Sequence, residues 1–258
     1  MTYGGINMID THAHLTDADF DADRAEVIER AKEAGVEKII CILCEFNEKN
    51  LAIFKELLSR DFIFGAAAIH PHDAKDFENR KSEFLKTLGF PKVVAVGEIG
   101  LDYHYMYSPK EIQVKVFEEQ LLIAKEKNLP VVIHSREAPA DTLDIIKKQK
   151  PRRGVMHCFS GDEKEAKEYL GLGFYISFAG PLTFRNAAKP KEVIKMIPDN
   201  RLLLETDCPW LAPQAFRGKR NEPAYIKSTY EEAARLRNTT VEKLSDTVTT
   251  NTKELFNI

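Results

Sequence analysis

Short apolar runs alternate with longer polar segments along the whole chain. Eight of these runs are rich in β-branched residues and predict strands, at residues 6–10, 38–43, 62–69, 92–97, 130–134, 154–158, 173–180 and 201–206. Most are continuously apolar rather than alternating in polarity, which is typical of strands that are buried on both faces. The pattern therefore predicts a largely parallel sheet covered by helices.

The segments between the runs carry apolar residues at the spacing of amphipathic helices. The clearest helical patterns span residues 21–35, 110–128, 190–197, 222–237 and 241–256. Eight strands alternating with helices over about 250 residues predict a (β/α)8 TIM barrel. A doubly wound open sheet is the alternative, but the Gly-rich turn that usually follows its first strand is replaced here by DTHAHL. We predict one barrel domain over residues 1–258.

Composition narrows the class of protein further. The 258 residues are 30% charged and carry a formal net charge of −3, an ordinary profile for a soluble globular chain. Neither a membrane span nor a signal peptide is predicted, and four cysteines without framework spacing indicate a reduced, cytoplasmic protein. No obligate protein partner is evident. A slightly acidic chain does not coat duplex DNA through bulk charge, so binding to nucleic acid would require a local basic patch.

Ionisable residues cluster at the ends of the predicted strands. Six of the seven histidines follow or end a strand: His12, His14, His70, His72, His134 and His157. Glu98 ends the fourth strand, and Asp207 follows the eighth. In a barrel these positions converge on the C-terminal mouth, where active sites are built. Hydrogen-bonded core histidines are the alternative explanation for any one of them.

Six of these residues form a candidate ligand set for metal ions: His12, His14, Glu98, His134, His157 and Asp207. Imidazole with carboxylate suits zinc, manganese or iron ions, whereas Mg²⁺ prefers oxygen ligands and water. Six ligands are too many for one catalytic ion with an open position, but they suit two ions that share a bridging carboxylate. Two ions about 3.5–4 Å apart stabilise the attacking and leaving oxygens of a displacement, and they lower the pKa of bound water toward about 7.

A basic loop follows the eighth strand and is predicted to border the mouth. Arg217, Lys219 and Arg220 in FRGKRNEP are suited to bind phosphate through charge-assisted hydrogen bonds, with an ordinary solvated loop as the alternative. The basic run at residues 147–154 is predicted to lie at the far end of the barrel. Cys158 and Cys208 each follow a candidate ligand and are predicted to pack in the barrel wall.

Several motifs together resemble the TatD family of metal-dependent deoxyribonucleases, which belong to the amidohydrolase-like barrels. The motifs are IDTHAHL, GEIGLDYH, PVVIHSREAPAD, MHCFSG, LLLETDCPWLAP and RGKRNEP, and they run from about residue 9 to residue 225. The resemblance implies a TIM barrel with a binuclear centre. One ion would be bound by His12, His14, Glu98 and Asp207, and the other by Glu98, His134 and His157.

The resemblance implies hydrolysis of DNA phosphodiester bonds by a metal-activated hydroxide. We expect two divalent ions, with Zn²⁺, Mn²⁺ and Mg²⁺ as candidates. Glu98 would bridge the ions, and Asp207 would orient the hydroxide and take its proton. Arg217, Lys219 and Arg220 would position the phosphate. Further predicted substrate contacts around the mouth are His70, His72, Asp102, Tyr103, His104, Arg136 and Ser160.

The expected substrate is DNA at strand ends or lesions, since one basic loop does not make an extended basic face. This predicts a 3′–5′ exonuclease, an abasic-site endonuclease, or both. A second hypothesis is a D-aminoacyl-tRNA deacylase that uses the same metal centre on a carboxylic ester. A third is a barrel that binds metal or nucleic acid without catalysis, which the complete ligand set argues against.

Overall fold

A computed structural model of the protein describes residues 6–258, so the first residues of the predicted domain lie outside the described part of the chain. The described residues form eight strands: β1 Met8–Ala13, β2 Val36–Leu43, β3 Ile63–Ala67, β4 Val93–Asp102, β5 Val131–Arg136, β6 Gly154–Met156, β7 Tyr175–Phe178 and β8 Leu202–Leu204. They also form nine α-helices: α1 Arg24–Glu33, α2 Glu48–Leu58, α3 Phe77–Thr87, α4 Lys110–Glu126, α5 Pro139–Gln149, α6 Glu163–Gly171, α7 Ala188–Met196, α8 Ile226–Leu236 and α9 Val241–Phe256. No helix among these residues is both long enough and apolar enough to cross a membrane.

The strands form one parallel sheet in the order β1 to β8, and the predicted (β/α)8 barrel is confirmed. The seam between the first and last strands closes at the C-terminal mouth. There Ala13 forms a parallel bridge with Cys208, and the amide of Asp207 donates a hydrogen bond of 2.9 Å to the carbonyl of His12. Residues nearly at opposite ends of the chain are therefore held side by side.

Strand boundaries differ from the sequence prediction at the mouth. β1 and β4 extend further, so that His12 and Glu98 lie within strands rather than after them. Main-chain pairing explains the longer β4, because Gly100 and Asp102 are paired with residues of β5. β8 is shorter and ends at Leu204.

Helix α4 stabilises the ends of two strands through buried amide side chains. Gln120 accepts a hydrogen bond of 2.8 Å from the amide of Ile69 and donates one of 2.9 Å to its carbonyl. Gln113 pairs in the same way with the main chain of Asp102, at 2.8 and 3.0 Å. These bonds satisfy main-chain groups that pass beyond the sheet, since unpaired buried polar groups are costly. As a result, the backbone is fixed next to His70 and at Asp102.

Candidate metal centre

The C-terminal mouth of the barrel holds a cavity of about 730 Å³. Ten residues predicted from sequence line it: His14, His70, His72, Glu98, Asp102, His134, Arg136, His157, Ser160 and Asp207. His12 lies beneath it and is fully buried.

The first group of candidate ligands comes from the β1–β8 seam and from β4. In β1, side chains two residues apart share a face, and the Nε2 atoms of His12 and His14 lie 3.0 Å apart. Glu98 Oε2 lies 3.3 Å from the first of these nitrogens and 3.4 Å from the second. Asp207 Oδ1 lies 3.6 and 3.5 Å from the same two atoms. Four potential ligand atoms thus surround one point.

The second group uses the other oxygen of Glu98. Its Oε1 atom lies 2.8 Å from His134 Nδ1 and 2.8 Å from His157 Nε2. His70 Nε2 is 3.5 Å from the same oxygen, so the structure brings His70 to the ligand atoms rather than to the substrate-facing rim. One carboxylate therefore faces two separate sets of imidazole nitrogens, as a bridging ligand does.

The spacing and chemistry of these atoms fit divalent metal ions. Tetrahedral zinc with ligand bonds of about 2.0–2.1 Å separates its ligand atoms by roughly 3.3 Å. The separations in the first group run from 3.0 to 3.6 Å. A site of mixed imidazole and carboxylate ligands suits Zn²⁺, Mn²⁺ or Fe²⁺ better than a site of oxygen ligands alone does.

Buried carboxylates hold the imidazoles of the second group by the nitrogen that faces away from Glu98. His134 Nε2 donates to Asp102 Oδ2 at 3.0 Å, and His157 Nδ1 donates to Glu205 Oε1 at 3.2 Å. Such bonds fix the ring orientation and tautomer and leave the opposite nitrogen free to bind metal. Asp102 also accepts a bond of 3.0 Å from His72, so one carboxylate supports two histidines of the cavity.

The charged groups of the centre shift one another's pKa values strongly. Burial would raise the pKa of the Glu98 carboxyl, but the nearby charges of His157 and His70 hold it well below its usual range. Burial also opposes the charged form of His14, yet hydrogen bonds with Asp207 and Glu98 raise its pKa to about 9. In the metal-free protein, protons therefore balance the buried carboxylates, and metal ions compete with protons for the same atoms.

Two buried acids of the site were not singled out by the sequence analysis. Glu205 also accepts bonds from the amide of Cys158 at 2.6 Å and the hydroxyl of Ser177 at 2.6 Å, so it links β7 to the loop after β6. Asp10 accepts from the amide and hydroxyl of Thr206, and burial raises its pKa to about 7. Glu205 lies at the predicted end of the eighth strand, the positional signal that identified the other acids.

The basic loop after β8 contributes no cation to the cavity lining among residues 6–258. Its three cations, Arg217, Lys219 and Arg220, all lie outside that lining. Arg220 donates to both carboxylate oxygens of Asp23 at 2.7 and 2.8 Å, and its guanidinium covers the ring of Phe20. A carboxylate from the loop after β1 thus binds this guanidinium, and a phosphate-binding role for Arg220 remains a prediction.

Replacing Arg220 with alanine is expected to lower stability while leaving KM for an anionic substrate nearly unchanged. Arg220 holds the pKa of Asp23 at about 2, below its ordinary value of 3.8, so the pair stabilises the fold above about pH 4. Solvent screening limits this to about 1 kcal/mol. Urea unfolding at pH 7, pH 3 and pH 2 measures it, because the difference between wild type and variant should begin to narrow below about pH 4 and shrink further as the pH falls toward the folded-state pKa of Asp23, about 2. A large rise in KM with unchanged stability would instead show that Arg220 binds the phosphate of the substrate.

Three other residues also lie elsewhere than predicted. The hydroxyl of Tyr103 donates to Asp141 at 2.7 Å, and His104 pairs with Glu137 at 2.7 Å, so neither is among the described residues that line the cavity. Cys158 does line the cavity instead of packing in the wall, because a positive φ of 43° turns its backbone away from the strand direction.

An eight-stranded parallel barrel with buried imidazole and carboxylate ligands at its C-terminal mouth defines a class, the metal-dependent hydrolases. The family model described as TatD related DNase matches residues 9–257. The chain therefore belongs to the TatD family and is a metal-dependent hydrolase.

Relatives and solved structures agree with this assignment. The chain is 47% identical to the uncharacterized metal-dependent hydrolase YabD of Bacillus subtilis, over 97% of this chain and 99% of that protein. It is 34% identical to a protein of Erwinia tasmaniensis named 3′-5′ ssDNA/RNA exonuclease TatD, over 97% and 100% of the two chains. The crystal structure of YJJV, a TatD homologue from Escherichia coli K12, matches with a TM-score of 0.89 and 32% identity, over 98% and 99% of the chains.

Proposed function

We propose that the protein hydrolyses phosphodiester bonds of DNA with two divalent ions, as a 3′–5′ exonuclease on single strands and as an endonuclease at abasic sites. One observation carries this proposal: the two oxygens of Glu98 face two separate groups of imidazole nitrogens at the bottom of one cavity. The name of the Erwinia relative supports a nucleic-acid substrate. Arg136 on the cavity wall favours an anionic ester.

The proposed ligands fall into two sets that share one carboxylate: His12, His14, Glu98 and Asp207 for one ion, and Glu98, His134 and His157 for the other. His70 adds a further nitrogen to the second set. Divalent ions held there would supply Lewis-acid stabilisation of the phosphoryl oxygens and would make a water molecule more acidic.

The remaining chemistry falls to side chains of the cavity. Burial would raise the pKa of Asp207, but the hydrogen bond with His14 lowers it, so this carboxylate is ionised at neutral pH and can accept a proton from water. Arg136 and Ser160 can donate hydrogen bonds to phosphate oxygens from the cavity wall. His72, held by Asp102, is the candidate for protonating the leaving oxygen.

Burial of the ligands favours flexible DNA as the substrate. Glu98 and His157 lie below the rim, where few of their atoms meet solvent. A duplex is stiff over many base pairs, and its phosphates line the outside of the rod. A single strand, a frayed 3′ end or an abasic site bends readily enough to bring one phosphate to the bottom of the cavity.

The direct test is cleavage of 5′-labelled single-stranded, blunt duplex and abasic duplex DNA with Mg²⁺, Mn²⁺, Zn²⁺ or Co²⁺. We expect stepwise shortening of the single strand from its 3′ end, cleavage at the abasic site, and much slower loss of the intact duplex. Chelation should stop every reaction, and the added ion should restore it. Absence of cleavage of all three substrates with every ion contradicts the proposal.

D-aminoacyl-tRNA deacylation is tested in parallel. The same two sets of ligands suit attack on a carboxylic ester, but no described contact favours an aminoacyl group over a phosphate. We expect release of D-amino acid to be negligible beside DNA cleavage under the same metal conditions. The reverse order of rates would make deacylation the function.

A further inference from the structure

Three aromatic side chains remain exposed at the mouth of the barrel. Trp210 is 48% exposed, Tyr105 45% and Tyr107 58%, although all three line the cavity that holds the ligands. Large exposed apolar groups gathered at a cavity mark a binding surface more often than chance. Because the ligand atoms lie in the same cavity, these rings can contact whatever molecule reaches them.

Trp210 stands beside the first group of ligands. It follows β8 in the loop that carries Asp207, and its ring meets the ring of His14 edge to face with centroids 4.7 Å apart. The amide of Trp210 donates a hydrogen bond of 3.1 Å to the carbonyl of Asp207. The indole is therefore held next to the ligands at one edge, while nearly half of it meets solvent.

Tyr105 and Tyr107 form a second aromatic surface beside the other ligand group. Their rings are nearly parallel, with an interplanar angle of 13° and centroids 5.3 Å apart. The ring of His72 packs edge-on against Tyr107 at 4.9 Å, and the guanidinium of Arg136 lies 4.7 Å from the centroid of Tyr105. This surface thus combines two aromatic faces with a fixed positive charge.

The barrel places these two aromatic surfaces on opposite sides of the mouth. The tyrosines follow β4 and the tryptophan follows β8, and strands four apart in a ring of eight lie across from each other. Glu98 and the two groups of nitrogens lie between them. A linear ligand crossing the mouth would therefore meet one aromatic surface, then the ligand groups, then the other aromatic surface.

A single nucleic-acid strand has the matching chemistry. It alternates flat apolar bases with anionic phosphates, and aromatic side chains stack on bases without regard to sequence. Arg136 offers charge for a phosphate between the rings. A protein partner matches less well, because buried carboxylates and histidines interrupt the apolar surface. In a duplex, the bases are already stacked on each other and are not available to either surface.

We propose that Trp210 and the Tyr105–Tyr107 pair are stacking platforms for nucleobases on the two sides of the scissile phosphate. The inference rests on the proposed function in that the strand is the one whose phosphate reaches Glu98. It adds the residues that hold the strand across the mouth, and it predicts binding without regard to base sequence.

Trp210 is the only tryptophan in the chain, so its fluorescence reports stacking directly. The probe is a nuclease-resistant phosphorothioate oligothymidylate, added to the Zn²⁺-loaded protein. We expect saturable quenching with the oligothymidylate, and little quenching with a strand of the same charge in which every nucleotide is abasic. Equal quenching by both strands, or none by either, overturns the role of Trp210.

Kinetics test both platforms through the base that each one contacts. Single 5,6-dihydrothymidines, whose saturated and non-planar base stacks poorly but leaves no abasic site, are placed in turn on either side of the cleaved bond of a DNA strand. In wild type each replacement should raise KM by about 5- to 100-fold. Trp210→Ala should raise KM similarly and become insensitive to the replacement on one side only, and the Tyr105→Ala/Tyr107→Ala variant should become insensitive on the other. Trp210→Phe and the double Tyr→Phe variant should restore most of the loss.

Leu122→Ala provides the matched control, since this exposed side chain lies on α4, away from the mouth. Zinc content and thermal midpoint of each variant separate lost stacking from a damaged centre or fold. Variants that keep full sensitivity to dihydrothymidine on both sides of the cleaved bond contradict the inference. If the oligothymidylate quenches the fluorescence of Trp210 but the protein cleaves no DNA, the proposed function fails and the stacking platforms stand. If the protein cleaves DNA but shows neither quenching nor sensitivity to the flanking bases, the proposed function stands and the platforms fail.

Discussion

Glu98→Gln is expected to lower hydrolytic activity by on the order of 10³-fold or more, and to reduce the bound metal to one ion or fewer. The two carboxylate oxygens serve different groups, with Oε2 near His12 and His14, and Oε1 near His134 and His157. An amide is neutral, and its nitrogen cannot bind a cation, so one group loses a ligand and both lose charge. Each ion is worth several kcal/mol of transition-state stabilisation, and each 1.36 kcal/mol is a factor of ten in rate.

The measurements are kcat with the restored metal and elemental analysis of the purified protein. Glu45→Gln is the matched control, since Glu45 lines the same cavity but pairs with Asn50 at 3.2 Å. We expect this control to keep activity and metal content near wild type. A Glu98→Gln protein with two bound ions and activity within tenfold of wild type would contradict the bridging role.

Gly100→Ala is expected to destabilise the protein by about 4 kcal/mol or more, or to prevent folding. Gly100 has a φ of 142° inside β4, a conformation that residues with a side chain rarely adopt. An added Cβ atom would lie 1.9 Å from the carbonyl oxygen of His134 and 2.9 Å from its carbonyl carbon. Both contacts are with backbone atoms, so β4 and β5 would have to move apart to relieve them. These two strands carry Glu98 and His134.

Urea unfolding measures this change, with Gly171→Ala as the control. An added Cβ at Gly171 meets no atom within 4 Å, and the residue lies at the end of helix α6. Alanine is the better helix former, so the control should be neutral or slightly stabilising, by up to about 1 kcal/mol. Equal stability of the two variants would show that the β4–β5 pairing tolerates the shift, contrary to expectation.

The barrel was predictable because its signal is local and repeated. Continuous apolar runs followed by amphipathic segments mark strands and helices wherever tertiary contacts merely reinforce them. His12 in β1 and His14 just after it are two residues apart, which implies a common direction, and their Nε2 atoms do meet at 3.0 Å. Barrel topology then places strand ends together, which brings Asp207 to the same point.

Sequence reasoning carries least information where several distant groups compete for one partner. Arg220 carries the charge and the position for phosphate binding, but Asp23 binds it with both oxygens. Tyr103 and His104 are bound in the same way, by Asp141 of α5 and by Glu137 of the loop before it. Sequence identifies which groups can pair, but the pair that forms depends on which loops pack together.

The sequence alone determines the residue types of the candidate metal centre, their order and the strand that each one ends or follows. It does so because the C-terminal ends of all strands in a parallel barrel meet at one mouth. Only the tertiary structure decided that Glu98 divides its two oxygens between two groups and that His70 joins the second. Such assignments depend on differences of a few tenths of an ångström in side-chain position. Those differences arise from packing and hydrogen bonds among residues that are far apart in the chain.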